Sequence, residues 1–343
     1  MKTTHILGAI AVAGVSASSA MAASHASGTL ANVKSAGELK CGVSTGLVGF
    51  AAPDANGVWE GFDVSVCRAV AAAVLGDPMA VKFVPTTGKT RFTALASGEV
   101  DMLARNTTWT FSRDVDLGFE FVGVNYYDGQ GFMVPKELGV SSASELDGAT
   151  VCIQTGTTTE LNLADFFRAN NMSYEPVPIE TNAEAQQKYL ANACDVYTTD
   201  ASGLAATRAT FEDPDAHVVL PEIVSKEPLG PLVRHGDNQW GDIVRWTLNA
   251  MITAEELGVT QANVGTIGAS TNNPEVRRLV GTEGDLGAML GLDADWAAKA
   301  IAAVGNYGEV FDANIGPSTA IGLARGLNAS YKDGGILYTP PFR

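Results

Sequence analysis

The chain has 343 residues, enough for two hydrophobic cores of ordinary size rather than one. Hydrophobic residues make up 46% and charged residues only 17%, which excludes a disordered chain. With 22 Lys+Arg against 38 Asp+Glu the net charge is -16, so phosphate backbones and anionic lipid are repelled and nucleic acid is excluded as a partner.

The first residues, MKTTHILGAIAVAGVSASSAMAAS, carry one early lysine, an apolar stretch from Ile6 to Val15, and small residues at Ala20 and Ala22. This is the pattern of a secretory signal peptide over 1–22, cut after Ala22. A membrane anchor fails on length: the stretch is too short to span, and no later segment offers about 18 uninterrupted apolar residues. No cysteine follows closely enough to be lipidated. The expectation is a free, soluble, exported protein.

From Leu39 the pattern predicts a strand to Val43, a Gly-rich loop, and a helix from Asp63 to Leu75, where Val66, Val70 and Val74 fall four apart and Gly76 ends the run. VKFV reads as a strand, KTRFTALASG as a helix stopped by Gly98, and VDMLA as another strand. NTTWTFSRD, residues 106–114, lies just past that strand's end. The second half repeats the order: TVCIQ is a strand, TGTTTE a turn, and 158–169 a helix with Leu161 and Phe166 on its apolar face. YEPVPI, with two prolines, reads as an edge strand. A helix from Ala183 to Ala191 precedes the strand CDVYT, which opens into TDASG.

Alternating strands and helices imply an α/β protein with mainly parallel sheets, and ligands in such sheets bind at the carboxyl ends of the strands. Both polar openings, NTTWT and TDASG, lie at such ends. YYDGQGFMV and EIVSKEPLGP contain the Gly and Pro suited to crossings, which places a second lobe (132–230) as an insert in a first lobe made of 23–131 and 231–343, with two connections as a hinge. Beyond about residue 260 the chain is helical in period, with an Asn/Pro helix start in TNNPEVRRL, and is expected to pack on the first lobe with little mechanistic content.

Export makes disulfides the expected state of Cys41, Cys67, Cys152 and Cys194, for which three pairings are possible. If each half is its own sheet, bonds stay within a half, which favours Cys41 with Cys67 and Cys152 with Cys194. Zinc is disfavoured, because there is no Cys-x-x-Cys and only His217 and His235 lie beyond the N-terminal leader region. TTGKTR, 86–91, mimics the tail of a phosphate-binding loop, but Phe83 stands where the pattern needs glycine. No Gly-x-Ser-x-Gly elbow is present. Neither a metal nor a cofactor is expected.

What remains is Thr107, Thr108 and Arg113 in the first half and Thr157, Thr158 and Asp200 in the second. An arginine fork matches a carboxylate, an aspartate accepts from an ammonium, and hydroxyls with helix N-terminal amides complete the carboxylate's acceptor sites. One ligand class carries both charges a short distance apart, the α-amino acids. The bland alternative makes Arg113 a surface ion-pair residue beside Asp114 and Asp116.

The order of these pieces from about Gly37 to Val264, ending in NYYDGQGFMV, ELDGATVCIQTGTTTE and CDVYTTDASGLAA, resembles the solute-binding proteins of polar amino-acid ABC transporters. It is most similar to the general L-amino-acid-binding group, whose long C-terminal segment it shares. The resemblance implies a type II periplasmic binding protein fold of two lobes, each a mainly parallel sheet flanked by helices, joined by two hinge crossings. It implies a periplasmic monomer that takes an L-amino acid and delivers it to the permease subunits of the inner membrane. Arg113 is similar to the family's carboxylate arginine, with Thr108 assisting. Thr157 and Thr158 match residues that add carboxylate hydrogen bonds, Asp200 matches the ammonium acceptor, and Asn106 a residue that lines the same site. The chain departs from relatives that clamp cationic side chains with an aromatic residue: Leu47 stands at that position, with Phe50 as the substitute, and this agrees with a broad ligand range. Amino-acid-analogue dehydratases and sensory domains share the same shape. A dehydratase needs a general acid, for which Glu160 is the candidate carboxylate.

Overall fold

The computed structural model describes residues 28–343, so the expected signal peptide lies outside the described residues. Two five-stranded sheets form the two lobes. In the first, Leu39–Ser44 lies parallel to both Val81–Thr86 and Met102–Leu103, and Leu232–Arg234 runs antiparallel between Met102–Leu103 and Phe119–Phe121. In the second, Ala149–Gln154 lies parallel to Tyr174–Ile179 and Val196–Asp200, while Gln130–Pro135 is antiparallel to Val196–Asp200 and to His217–Val219. Tyr174–Ile179, with its two prolines, is an edge strand, where a missing N–H removes no ladder bond.

The chain passes between the lobes in Tyr126–Asp128 and returns in Glu227–Leu229, and these two crossings pair antiparallel. Both disulfides are formed, Cys41–Cys67 in the first lobe and Cys152–Cys194 in the second. They close loops of 26 and 42 residues, worth about 3 to 4 kcal/mol each if chain entropy dominates.

The helix expected at Asp63–Leu75 spans Phe62–Leu75 and ends at Gly76, whose φ of 74° is the left-handed cap that glycine tolerates best. Its sequence is apolar on nearly every face because the sheet covers one side and the C-terminal helix Trp296–Val304 covers another. The helix Thr158–Ala169 starts where the sequence predicts, with Thr157 as N-cap accepting from the Glu160 amide. Its buried face differs from expectation. Thr159, Leu163 and Phe167, four apart, turn toward the sheet, and Leu161 lies 68% exposed on the far side.

The C-terminal helices pack on the first lobe, with Trp296, Ile301, Tyr307 and Phe311 inside its core. This segment also reaches the hinge. The Asn328 side chain accepts from the Tyr127 amide at 2.6 Å and donates to the Tyr127 carbonyl at 3.0 Å. Tyr127 faces Pro228 across the crossing pair, and Pro228 has no N–H while its carbonyl accepts from Trp109. Asn328 therefore serves backbone groups that the partner strand does not, which ties the C-terminal segment to the crossing as well as to the core of the first lobe.

Candidate functional site

The carboxyl ends of both sheets face each other across the crossings. Thr86 and the 104–108 segment end strands of the first lobe, and Gln154 and Asp200 end strands of the second. The lobes touch here. Thr108 Oγ1 lies 3.2 Å from Thr158 Oγ1, Asn106 Nδ2 donates to Asp200 Oδ2 at 3.5 Å, and Asn182 Nδ2 donates to the Gly46 carbonyl at 3.0 Å. Further out, Lys89 pairs with Glu180 at 3.0 Å. The polar cleft that remains encloses about 20 Å³, roughly room for one water. The lobes must part before an amino acid can enter.

Arg113 is 6% exposed and makes no ion pair with Asp114 or Asp116. Asp114 instead accepts from Trp109 Nε1 at 2.7 Å and faces His235. This disposes of the surface ion-pair reading. A single π-helical turn, Ser112–Asp116, folds the arginine inward, where its Nη1 donates to the Thr108 carbonyl at 2.8 Å and its guanidinium lies over Phe92 at 5.2 Å. Burial lowers its pKa to about 10, while Glu227 and Asp200 pull the other way.

Thr158 opens its helix, and its hydroxyl is oriented at the cleft. Thr157 lines the cleft too, but its hydroxyl donates to the Gln154 carbonyl at 2.6 Å and caps the helix, so its proton is committed locally. Asp200 ends its strand at the N-cap of the helix Ala201–Arg208, which the sequence reading did not anticipate, and makes no side-chain cap bond. Burial, with Asp128 and Glu227 nearby, raises the Asp200 carboxyl well above its ordinary range. Asn106 holds φ at 35°, a left-handed conformation that asparagine tolerates, and its amide nitrogen donates to Asp63 at 2.9 Å. Asn125 Nδ2 donates to the other Asp63 oxygen, and Tyr307 of the C-terminal segment donates to the Asn125 carbonyl.

Phe50 belongs elsewhere. It is 1% exposed, packed edge-on against Phe62 and Tyr126 in the core of the first lobe, and does not line the cleft. Leu47 is buried in the same core. Glu160, the candidate acid, accepts from the Gly156 amide at 2.9 Å in the turn that starts its helix, and the cleft wall does not include it.

Three residues of the site were not anticipated: Arg91, Arg105 and Glu227. Arg91 and Arg105 line the cleft, and Arg105 lies two residues past an apolar strand, near the position where the sheet rule places ligand contacts. Glu227, 1% exposed, starts the return crossing. Its Oε2 accepts from Thr108 at 2.5 Å and Thr158 at 2.8 Å, and its Oε1 from Asn162 and Ser225, so one carboxylate bridges both lobes. A lone acid inside a Gly/Pro crossing carries no spacing signal that would reveal this.

A family model for bacterial extracellular solute-binding proteins, family 3, matches residues 39–263. The chain belongs to this family. The solute-binding chain is 66% identical, over the full length of both chains, to a protein of Rhodobacter capsulatus named for binding glutamate, glutamine, aspartate and asparagine. It is 58% identical to a general L-amino acid-binding periplasmic protein of Rhizobium johnstonii, over 97% of this chain and 96% of the relative. An ABC transporter periplasmic binding protein structure from Brucella ovis, with glutathione bound, superposes with a TM-score of 0.90 at 56% identity, covering 92% of this chain and 99% of that one. The fold is the type II periplasmic binding protein fold, and the C-terminal segment extends past the region that the family model matches.

Proposed function

We propose that this solute-binding protein works in the periplasm as a monomer that captures a free L-amino acid between its lobes and presents it to the permease of an ABC transporter, without chemical conversion. The observation that carries the reading is the meeting, across one cleft, of Thr108 and Asn106 from one lobe with Thr158 and Asp200 from the other, with Arg113 buried behind Thr108 and bonded to its carbonyl rather than lining the cleft itself. Arg113 with the Thr108 and Thr158 hydroxyls receives the α-carboxylate, for which Glu227 now competes. Asp200 receives the α-ammonium, aided by Asn106. The inserted lobe is taken as 132–230, and the signal peptide as 1–22.

The names of the Rhodobacter and Rhizobium relatives support an α-amino acid as the common ligand. The glutathione of the Brucella structure supports it as well, because the γ-glutamyl end of that peptide carries an α-ammonium and an α-carboxylate. The capping role of the Glu160 carboxylate favours carriage over dehydration.

A ligand gripped from both sides favours the closed form only by its higher affinity there. A thermal-shift screen over the L-amino acids and glutathione tests this. Ligand at about 100 times its dissociation constant adds about 2.7 kcal/mol of stability. Upward shifts with several L-amino acids are expected, and no shift with any of them contradicts the reading. Arg113→Ala is expected to weaken binding by about 2 to 5 kcal/mol, the cost of cutting a buried charge pair on one side. A change below about threefold in calorimetry removes Arg113 from its role.

A further inference from the structure

Glu227 already occupies the groups assigned to the ligand's α-carboxylate. Its Oε2 accepts from the Thr108 hydroxyl of the first lobe at 2.5 Å and from the Thr158 hydroxyl of the second at 2.8 Å, and these two hydroxyls lie 3.2 Å apart. A hydroxyl has one proton to donate, so while both point at Glu227 neither is left for another carboxylate. Oε1 accepts from Asn162 and Ser225, each at 2.6 Å, which fills the other oxygen. Of the surrounding carboxylates, Glu227 also acts most strongly on the Arg113 guanidinium, ahead of Asp200. Thr108, Thr158 and Arg113 thus all serve an internal acid.

The other polar contacts between the lobes are weaker. Asn106 to Asp200 at 3.5 Å is at the limit of a hydrogen bond, Lys89 and Glu180 are both more than half exposed, and Asn182 to the Gly46 carbonyl joins neutral groups. Hydrogen bonds to a charged oxygen are roughly twice as strong as neutral ones. Glu227 is 1% exposed, so water does not compete for its bonds. The crossing that carries it is tied to the first lobe, where Trp109 donates to the Pro228 carbonyl and Gly230 to the Thr107 carbonyl. Thr158 and Asn162 sit on one helix of the second lobe.

We infer that Glu227 is a built-in latch, an internal stand-in for the ligand carboxylate that holds the lobes together when no amino acid is bound and yields its hydroxyls when one enters. This rests on the reading of the cleft as an L-amino-acid site. Opening pulls Thr158 and Asn162 away from Glu227, while Thr108 stays with the crossing. A latched form that outnumbers the open one by about ten to one lowers the apparent affinity about tenfold. The latch acts on the α-carboxylate, which all amino acids share, so it sets the level of affinity and not the choice of side chain.

Calorimetric titration of the full chain and of Glu227→Ala with L-glutamine, together with small-angle scattering of both without amino acid, tests the latch. Glu227→Ala leaves the two hydroxyls and Arg113 to the ligand. It is expected to bind glutamine about threefold to tenfold more tightly, and to be more extended than the unmodified chain until glutamine is added. Asn162→Ala removes one donor to the same carboxylate from a half-buried helix position outside the cleft. It is expected to tighten binding by about twofold or more, and it decides alone if Glu227→Ala does not fold. Unchanged or weaker binding in a folded variant overturns the latch, as does identical scattering of the two chains without amino acid. No binding of any L-amino acid by the unmodified chain overturns the amino-acid reading itself, an outcome distinct from weaker binding in the variants.

Discussion

Asp200 shows how one residue links binding to pH. Burial and the neighbouring Asp128 and Glu227 raise its pKa, so a ligand ammonium seated against it, as proposed, would favour the charged form and release protons on binding. Affinity is therefore expected to fall as pH is lowered, with proton release on binding. Calorimetry in buffers of different ionisation enthalpy over about pH 5 to 8 reads this directly, and heats independent of buffer would contradict it. Asp63 is raised in the same sense, from 3.8 to about 6, chiefly by desolvation. The folded form binds the proton more tightly than the unfolded chain, so this contribution to stability is full below 3.8 and is lost as pH rises through about 6. Arg113 and Asp200 could be picked out as candidates because their charges complement a zwitterion, Asp200 at the end of its strand and Arg113 in the polar run past another. Arg91 and Arg105 were not, because TTGKTR was weighed only as a phosphate loop and Arg105 follows its strand with no polar run of its own. Phe50 misled because an aromatic residue in a loop gives no sign of which way it turns.

Elements set how closely the lobes can approach. Gly88, in the turn after Val81–Thr86, lies against the turn that starts Thr158–Ala169, and a Cβ there would stand 2.8 Å from the Thr155 carbonyl and 3.1 Å from Thr157 Cγ2. Gly88→Ala is expected to leave the fold intact but weaken ligand binding by about 1 to 3 kcal/mol, because the clash exists only when the lobes meet. Unchanged affinity would show that closure does not bring these turns together. Thr157→Ala is expected to cost about 1 kcal/mol of stability in denaturant unfolding through the lost cap. A variant unfolding at the original midpoint would refute it. Most elements could be read from periodicity and caps, since Gly76, Gly98 and Thr157 each punctuate a run as the physics of helix ends requires. The rotated face of 158–169 could not, because Leu161 is apolar yet points to solvent, and hydrophobicity alone does not report which stripe the sheet covers.

Across the whole molecule, the two crossings join the lobes and the C-terminal segment bonds to one of them. Asn328 grips the backbone of Tyr127 in one crossing, and Tyr307 steadies Asn125 just before it. Asn328→Leu strands an N–H and a carbonyl and is expected to lower stability by about 1 to 3 kcal/mol, while an unaltered denaturant midpoint would deny the segment its hold on the hinge. The alternation of strands and helices made two sheets legible, but a side chain from beyond residue 300 that completes a crossing strand belongs to long-range packing and leaves no local pattern. The central claim is that the opposite charges of one guest are held by different lobes. Titrating the chain with L-glutamine, its decarboxylated amine and its deaminated acid tests this most directly. Binding of glutamine with both single-charge analogues weakened by about a hundredfold or more is the result predicted. Either analogue binding as tightly as glutamine would contradict it.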